Sequence, residues 1–383
     1  VYDEEHGTTE MEAAQLVATE LRGRGLEPVV EEAAPGRPNV ICDWSGTAFD
    51  PTRDRTLMFE GHTDVVTEGE VEAWTHAPFG AEIHDGMLFG RGSADMKAGV
   101  AGAICALDAV RKVAPDLAGR IRLGIVADEE GMMLGIKDFI ARGWADDVTG
   151  AIICEPEENE LCLHQKGAMR VTVSFRGVMS HGAMPYAGVN PIRALGAFLV
   201  GVRELELEEQ ANCGAHEYLG LPWITPTIVR APVRGEAQHN VMPERAELAL
   251  DLRTVPGQEH DRLLASLRGL AERVVGDTDR LGIEVDCFES RPWTETSTDD
   301  PLVTALETVY PWVLGREARY GGVPGATDGT FLRSMAGIPI VTVGPGDREI
   351  PHQTDEFVRI SELVDSARLY AAGAIMYLGS VRP

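Results

Sequence analysis

The apolar runs of this chain change their rhythm in the middle, and that change limits the architecture more than any single motif. In the first part, short apolar runs (EPVVEE, NVICDW, TLMFEGH, IRLGIVAD and AIICEP) alternate with helix-like stretches such as MKAGVAGAICALDAVRKV. Strands interleaved with helices predict an α/β sandwich around a largely parallel sheet. The pattern returns near the end, with PLVTALETVYPWVL as a helix, IPIVTVGPG as a strand and ISELVDSARLYAAGAIMYLG as a closing helix. A first helix is expected over 8–24, opened by a Thr cap and stopped by Gly.

The middle reads differently. AMRVTVSFRG alternates as a strand, and NPIRALGAFLVGVREL is a helix capped by Asn190 with Pro191 at its first position. WITPTIVRAPV and RAELALDLRTV are two more alternating strands, followed by HDRLLASLRGLAERVVG as a helix and IEVDCFE as a strand. The order β-α-β-β-α-β is the ferredoxin-like arrangement. The expected organisation is therefore an α/β/α sandwich over 1–166 and 291–383, with a small ferredoxin-like domain inserted over 167–290. A chain of 383 residues accommodates two such cores.

Composition narrows the partners. The net charge of −27, from 34 basic against 61 acidic residues, offers no basic cluster to hold phosphates, so nucleic acid and anionic membrane are excluded as expected partners. No run approaches the roughly 18 apolar residues of a membrane span, and VYDEEHG lacks the form of a signal peptide. Six scattered cysteines with no C-x-x-C pair read as reduced, small core residues, which points to the cytoplasm.

G-x-x-x-x-G-K-[ST], G-x-S-x-G and H-E-x-x-H are all missing, and GRGSADMKAG is not G-x-G-x-x-G. What remains is a set of His, Asp and Glu residues at the expected carboxyl ends of strands, where open α/β sheets build their sites. FEGHTDVV carries His62 and, two residues on, Asp64, which is within reach of the ring nitrogen that a ligating histidine leaves free. ADEEG carries Glu129 and Glu130, whose alternative reading is a solvated turn; Asp95 in GRGSADMKAG reads equally as a helix cap. Glu155 ends AIICEP, and His352 sits in the Gly/Pro-rich loop GPGDREIPHQTDEF. Each has an ordinary structural explanation alone. Together, His62, Asp95, Glu130, Glu155 and His352 follow different expected strands of one domain, and two divalent ions would be neutralised by three carboxylates and one hydroxide.

HTDVV, GRGSADMKAG, DEEG, CEP, SHGAMPYAGVNPI, HNVMPERAELALDLR, GATDG and PHQTDE, in that order over nearly the whole chain, resemble the dinuclear-zinc amidohydrolases. That family includes acetylornithine deacetylase, succinyl-diaminopimelate desuccinylase, aminoacylase and glutamate carboxypeptidase. The resemblance implies a catalytic α/β/α domain with an inserted lid that also dimerises. It implies His62, Asp95 and Glu155 on one metal, Asp95, Glu130 and His352 on the other, and Glu129 as general base. Because two side chains in succession on a strand point apart, both glutamates serve one site only where the strand has ended, and Gly131 is expected to permit that turn. The resemblance further implies that His181, supplied by a partner chain, stabilises an oxyanion, that Asn240 and Arg253 contact a substrate carboxylate, and that the stretch from Gly321 and Gly322 to Thr327, Asp328 and Gly329 lines the substrate pocket with backbone groups. GGVPGATDG is longer than the corresponding loop of relatives, and Met132 and Met133 replace the usual small residues, which leaves pocket detail open.

The expected activity is hydrolysis of a linear amide in an N-acyl amino acid, by a homodimer joined through the lid. The expected cofactors are two zinc ions; manganese or cobalt is also compatible with the donors, and a centre with one weak or empty site is the variant. Alternatives are a dipeptidase or carboxypeptidase, a hydrolase of an unusual C–N bond such as an aryl amine with one metal retained, and a non-catalytic binding protein on the same scaffold.

Overall fold

Every residue of the strand Arg55–His62 is buried, and its side chains divide by parity. Leu57 and Phe59 pack with Leu21, Leu107, Leu306 and Tyr370, whereas Met58 packs with Ile136, Phe139 and Leu332. Neighbouring side chains of a strand point to opposite faces, so a strand buried on both faces needs helices on both. Met11–Gly23, Ala98–Val113, Pro301–Leu314 and Ile360–Gly379 supply one helical layer, and Leu134–Ala141 and Gly329–Ala336 supply the other. This computed structural model describes residues 9–379 apart from 277 and 279. The sandwich unit comprises the chain up to His164, Thr294–Val323 and the residues from Thr327 on; Gln165–Trp293 and Pro324–Ala326 form a second unit.

The nine-stranded sheet is mixed rather than largely parallel. Arg55–His62 lies parallel between Gly119–Val126 and Gly150–Ile153, and Ile340–Thr342 continues in parallel beyond the latter. Arg37–Ser45 and Val29–Ala34 add antiparallel strands on one side. The reason is local: only Pro35 and Gly36 separate the paired residues Ala34 and Arg37, and a parallel connection needs a dozen residues or more. The first helix begins at Met11, whose N–H donates to Thr9 Oγ1 at 3.3 Å, while Glu10 occupies the cap position and turns its side chain to Arg37 instead of capping.

The second unit has the antiparallel order Trp223–Arg230, Arg245–Thr254, Gly167–Arg176, Gly282–Arg291. Helices Pro191–Cys213 and His260–Val275 cover one face, where Ala246, Leu248, Leu250 and Leu252 meet Phe198, Val202, Leu263 and Leu267. This is the β-α-β-β-α-β topology. Asn190 caps the first of these helices, its Oδ1 accepting the Ile192 N–H at 2.9 Å. Arg245, Glu247, Asp251 and Arg253 alternate onto the opposite face.

All six cysteines are free. Cys42, Cys154 and Cys162 are core residues as expected, but Cys105 and Cys213 are exposed because they fall on the outer faces of their helices. Among the described residues no helix is long and apolar enough to cross a membrane.

Two glycines test how the helices pack. A Cβ at Gly99 would lie 1.9 Å from the Cys154 carbonyl oxygen, at the end of a central strand, whereas a Cβ at Gly269 meets nothing nearer than Arg273 Nη1 at 3.5 Å. Gly99→Ala is expected to lower the urea midpoint by an amount equivalent to about 1–3 kcal/mol. Gly269→Ala, in a helix interior with room for the methyl, is expected to raise it by roughly 0.5–1 kcal/mol.

Candidate metal centre

His62 closes its strand with the ring wholly buried. Its Nδ1 lies 3.1 Å from the Asp64 carbonyl oxygen and 3.4 Å from Asp64 Oδ1. Its Nε2 points to Asp95 Oδ1 at 3.1 Å and Glu155 Oε1 at 3.7 Å. The Asp64 carboxylate also accepts the backbone N–H groups of Glu129 (3.2 Å) and Glu130 (3.0 Å). One aspartate therefore orients the His62 ring and the first residues of the glutamate turn.

On the other side, His352 Nε2 lies 3.0 Å from Glu130 Oε1 and 3.4 Å from Asp95 Oδ2. Asp95 thus turns Oδ1 to His62 and Oδ2 to His352. Possible ligand atoms of His62, Glu129 and Glu155 lie within 4.8 Å of one another, as do those of His62, Asp95 and Glu130. All seven residues expected at the centre (His62, Asp64, Asp95, Glu129, Glu130, Glu155 and His352) converge in the sandwich unit.

Four of them arrive from the ends of central strands, and Asp95 does not. It lies in the irregular turn between the short strand Met87–Phe89 and the helix Ala98–Val113, with non-helical φ −111° and ψ 99°. Lys97 occupies the helix cap position, so the capping alternative for Asp95 fails; its carboxylate serves the two histidines.

The glutamate turn is built by Asp128. This residue takes a left-handed φ of 68°, and its buried carboxylate accepts the N–H groups of Met132 and Leu134, each at 3.1 Å. Arg37 pairs with the same carboxylate and with Glu10. Gly131 contributes space rather than an unusual backbone angle, since a Cβ there would sit 2.2 Å from Asp128 Oδ1. Met133 is core and Met132 is exposed.

Glu60 and Asp328 complete the buried polar layer and were not among the expected site residues. Glu60 is hydrogen-bonded to Asp328, which precedes the helix Gly329–Ala336, and both are buried. A glutamate two residues before His62 in an otherwise apolar buried run was the available signal, because the i, i+2 spacing puts both on one face.

Charge crowding shapes ionisation. Burial, with neighbouring acids, drives the carboxyls of Glu129 and Glu155 well above the usual range, and burial pushes Glu60 up to about 8. Burial also opposes charge on Asp95, but hydrogen bonds to His352 and His62 hold it well below the usual range. Hydrogen bonds to Asp95 and Glu130 raise the His352 ring to about 10. In the absence of cations the site holds itself together with protons on its histidines and on some of its acids. Two imidazoles and a shared carboxylate flanked by further carboxylates form a donor set suited to divalent cations.

The remaining expected residues are divided between the two units. His181 ends a two-residue strand of the second unit, exposed, its Nδ1 accepting the Ala183 N–H at 3.0 Å. Asn240 is an exposed turn residue of that unit, and Arg253 is held by Asp251 at 2.7 Å. In the sandwich unit Gly322 is buried within the strand Tyr320–Val323, and the buried Thr327 accepts the Gly329 N–H at 3.2 Å.

Comparison with known proteins adds a family to this geometry. A model described as peptidase family M20/M25/M40 matches residues 58–375. The succinyl-diaminopimelate desuccinylase of Thioalkalivibrio sulfidiphilus is 30% identical over 328 residues, covering 82% of this chain and 81% of that protein. A probable succinyl-diaminopimelate desuccinylase of Staphylococcus epidermidis is 27% identical over 369 residues, covering 91% and 89%. Among solved structures, the M20 family metallo-carboxypeptidase Sso-CP2 from Sulfolobus solfataricus superposes with a TM-score of 0.77 at 18% identity, covering 97% of this chain and 95% of that one. The dipeptidase Dug1p of Saccharomyces cerevisiae gives 0.72 at 16%, covering 97% and 91%.

The raised groups fix the sign of a pH dependence. Between the ordinary glutamate value of 4.5 and about 8, folded Glu60 keeps a proton that the unfolded chain releases, so its contribution to stability is lost as pH rises. His352, raised from 6.5 to about 10, acts in the same direction over the upper part of that range. Asp64 and Asp95 are lowered, so they cost stability only below the usual aspartate value of 3.8. His260, lowered to about 4 by burial, opposes this trend only below its ordinary value of 6.5, so chelator-treated protein is expected to melt at progressively lower temperature from about pH 6.5 to about pH 8. A melting temperature that is flat or rises over this interval would refute the charge assignment.

Proposed function

Because the chain belongs to peptidase family M20/M25/M40, metal-dependent hydrolases of amide and peptide bonds, we propose that it removes an acetyl or succinyl group from an N-acyl amino acid. The observation that carries the reading is the division of the Asp95 carboxylate between two facing clusters, each with its own histidine and glutamate. His62, Asp95 and Glu155 would hold one divalent ion, and Asp95, Glu130 and His352 the other. Zinc is proposed, and the donors also admit manganese or cobalt. What such ions supply when bound is Lewis acidity toward a carbonyl and an increased acidity of water.

The chain's own groups then have distinct tasks. Glu129 shares a cluster with His62 and Glu155 and is buried, which raises its proton affinity; with positive charge beside it favouring the ionised form, its carboxylate would take a proton from water and return it to the leaving amine. Asp64 fixes the tautomer and orientation of His62 by contact with Nδ1, and holds the backbone of Glu129 and Glu130 in place. His181 is proposed to stabilise the oxyanion, Asn240 and Arg253 to meet a substrate carboxylate, and Gly322 and Thr327 to line the pocket. The partner is a small acyl amino acid.

A homodimer through the second unit belongs to the same proposal. Its edge strand Trp223–Arg230 exposes Trp223, Ile228 and Val229 beside an unpaired backbone edge. The six free cysteines support a reducing compartment, in keeping with a cytoplasmic enzyme. The acyl amino-acid substrate is preferred over a peptide because the relatives that match in sequence are named as desuccinylases, whereas the peptidases named above match at under 20% identity and carry the fold alone. Both clusters being complete disfavours a one-metal or non-catalytic variant.

The test is amine release from N-acetyl and N-succinyl amino acids, dipeptides and aryl amines, with and without chelator. Chelator-sensitive turnover confined to the acyl amino acids is expected, and dipeptides turned over in preference would replace the proposed substrate class. Glu129→Gln is expected to lower kcat about 10²–10⁴-fold while metal content is unchanged.

A further inference from the structure

Two ionised side chains are buried beside the centre without belonging to it. Arg91 and Glu356 are 3% and 1% exposed and meet at 2.6 Å. The other Glu356 oxygen, Oε1, accepts the backbone N–H groups of Ala94 at 2.9 Å and Asp95 at 3.1 Å. Arg91 Nη1 also donates to the Gln353 carbonyl at 3.1 Å, and Nη2 to that of His352 at 3.4 Å. Asp95 and His352, far apart in the sequence, are thus both tied through their backbones to one ion pair.

The other ligands are anchored differently. His62 ends one central strand, and Glu155 follows its direct parallel neighbour, with the Cys154 N–H donating to the Glu60 carbonyl at 3.0 Å. Their separation is set by the sheet. His352 has no such support: it lies in a loop, at a left-handed φ of 67°, with half of its side chain exposed. A buried ion pair is a weak device for stability, because removing two charges from water offsets most of their attraction. Its use here is geometric.

We propose that Arg91 and Glu356 are positioning residues that hold Asp95 and His352 at the separation a cation needs, so that the site of Asp95, Glu130 and His352 depends on them far more than the site of His62, Asp95 and Glu155. This rests on the dinuclear reading above. The two sites share Asp95 and differ in the rest: the sheet places His62 and Glu155, whereas the ion pair holds the loop that carries His352.

The test is equilibrium dialysis of metal-free protein against buffered zinc, with folding followed by circular dichroism. The double variant Arg91→Met/Glu356→Leu removes both charges at once and leaves neither stranded. Glu356→Gln alone serves as a milder change of nearly the same shape, and decides the matter should the double variant not fold. Wild type is expected to take up two ions per chain. Folded variants are expected to keep the tighter site within about twofold and to bind the second ion about 10–100-fold more weakly, the usual cost of losing an outer support. Folded variants with an unchanged second site, or with both sites weakened equally, would overturn the positioning role while leaving the dinuclear reading intact. A wild type that takes up fewer than two ions would overturn the dinuclear reading, and the positioning role with it.

Discussion

The mutual repulsion of carboxylates organises the sandwich unit. Glu60, Asp64, Asp95, Glu129, Glu130, Glu155 and Asp328 surround two imidazoles, most of them buried. Like charges at this density cannot all ionise without compensation. The protein compensates in three ways: by backbone N–H groups aimed at Asp64, by imidazole on both oxygens of Asp95, and by protonation, as in the hydrogen-bonded carboxyls of Glu60 and Asp328. Divalent cations would replace the last two. Donors so crowded repel one another, and the fold around them must be stiff enough to keep them from moving apart.

That stiffness comes from the parallel centre of the sheet. Adjacent strands lie about 4.8 Å apart, so loops leaving neighbouring strand ends start at fixed separations. Packing locks the strand ends further. The backbone of Gly99 lies against the Cys154 carbonyl, and the Tyr370 hydroxyl donates to the Val343 carbonyl at 2.6 Å. The helix Ile360–Gly379 is therefore pinned at the same end of the sheet from which two of the functional loops depart.

Local features were legible in the sequence and remote ones were not. Asn190 followed by Pro191 announces a helix start, and the alternation of RAELALDLRT places its leucines on one face, because each depends on a few consecutive residues. His62, Glu129, Glu130 and Glu155 could be read as site residues because apolar runs mark where strands stop. The loop origin of Asp95 could not be read the same way, since an acidic residue ahead of a helix has the same local appearance whether it caps the helix or serves two histidines. Arg91 and Glu356 were invisible for a plainer reason: neither has a local partner, and only the folded chain shows that one carboxylate holds the segment before Asp95 while its arginine holds the loop of His352. The apolar runs suggest a largely parallel sheet where the fold has a mixed one, because a hairpin and a crossover leave similar runs and only the two residues between Ala34 and Arg37 mark the hairpin.

The adjacent glutamates show how one turn gives identical side chains different work. Had the strand Gly119–Val126 continued, Glu129 and Glu130 would project to opposite faces. Instead the chain turns at Asp128, whose carboxylate gathers the following N–H groups, and Asp64 collects those of both glutamates. Glu129 is thereby turned toward His62 and Glu155, where burial keeps a proton close at hand. Glu130 is turned toward the half-exposed His352, whose Nε2 lies 3.0 Å from its Oε1. A side chain at position 131 would collide with Asp128 and reopen the turn. The proposed division between proton carrier and ligand would therefore be a property of the backbone path, which gives two identical side chains different surroundings.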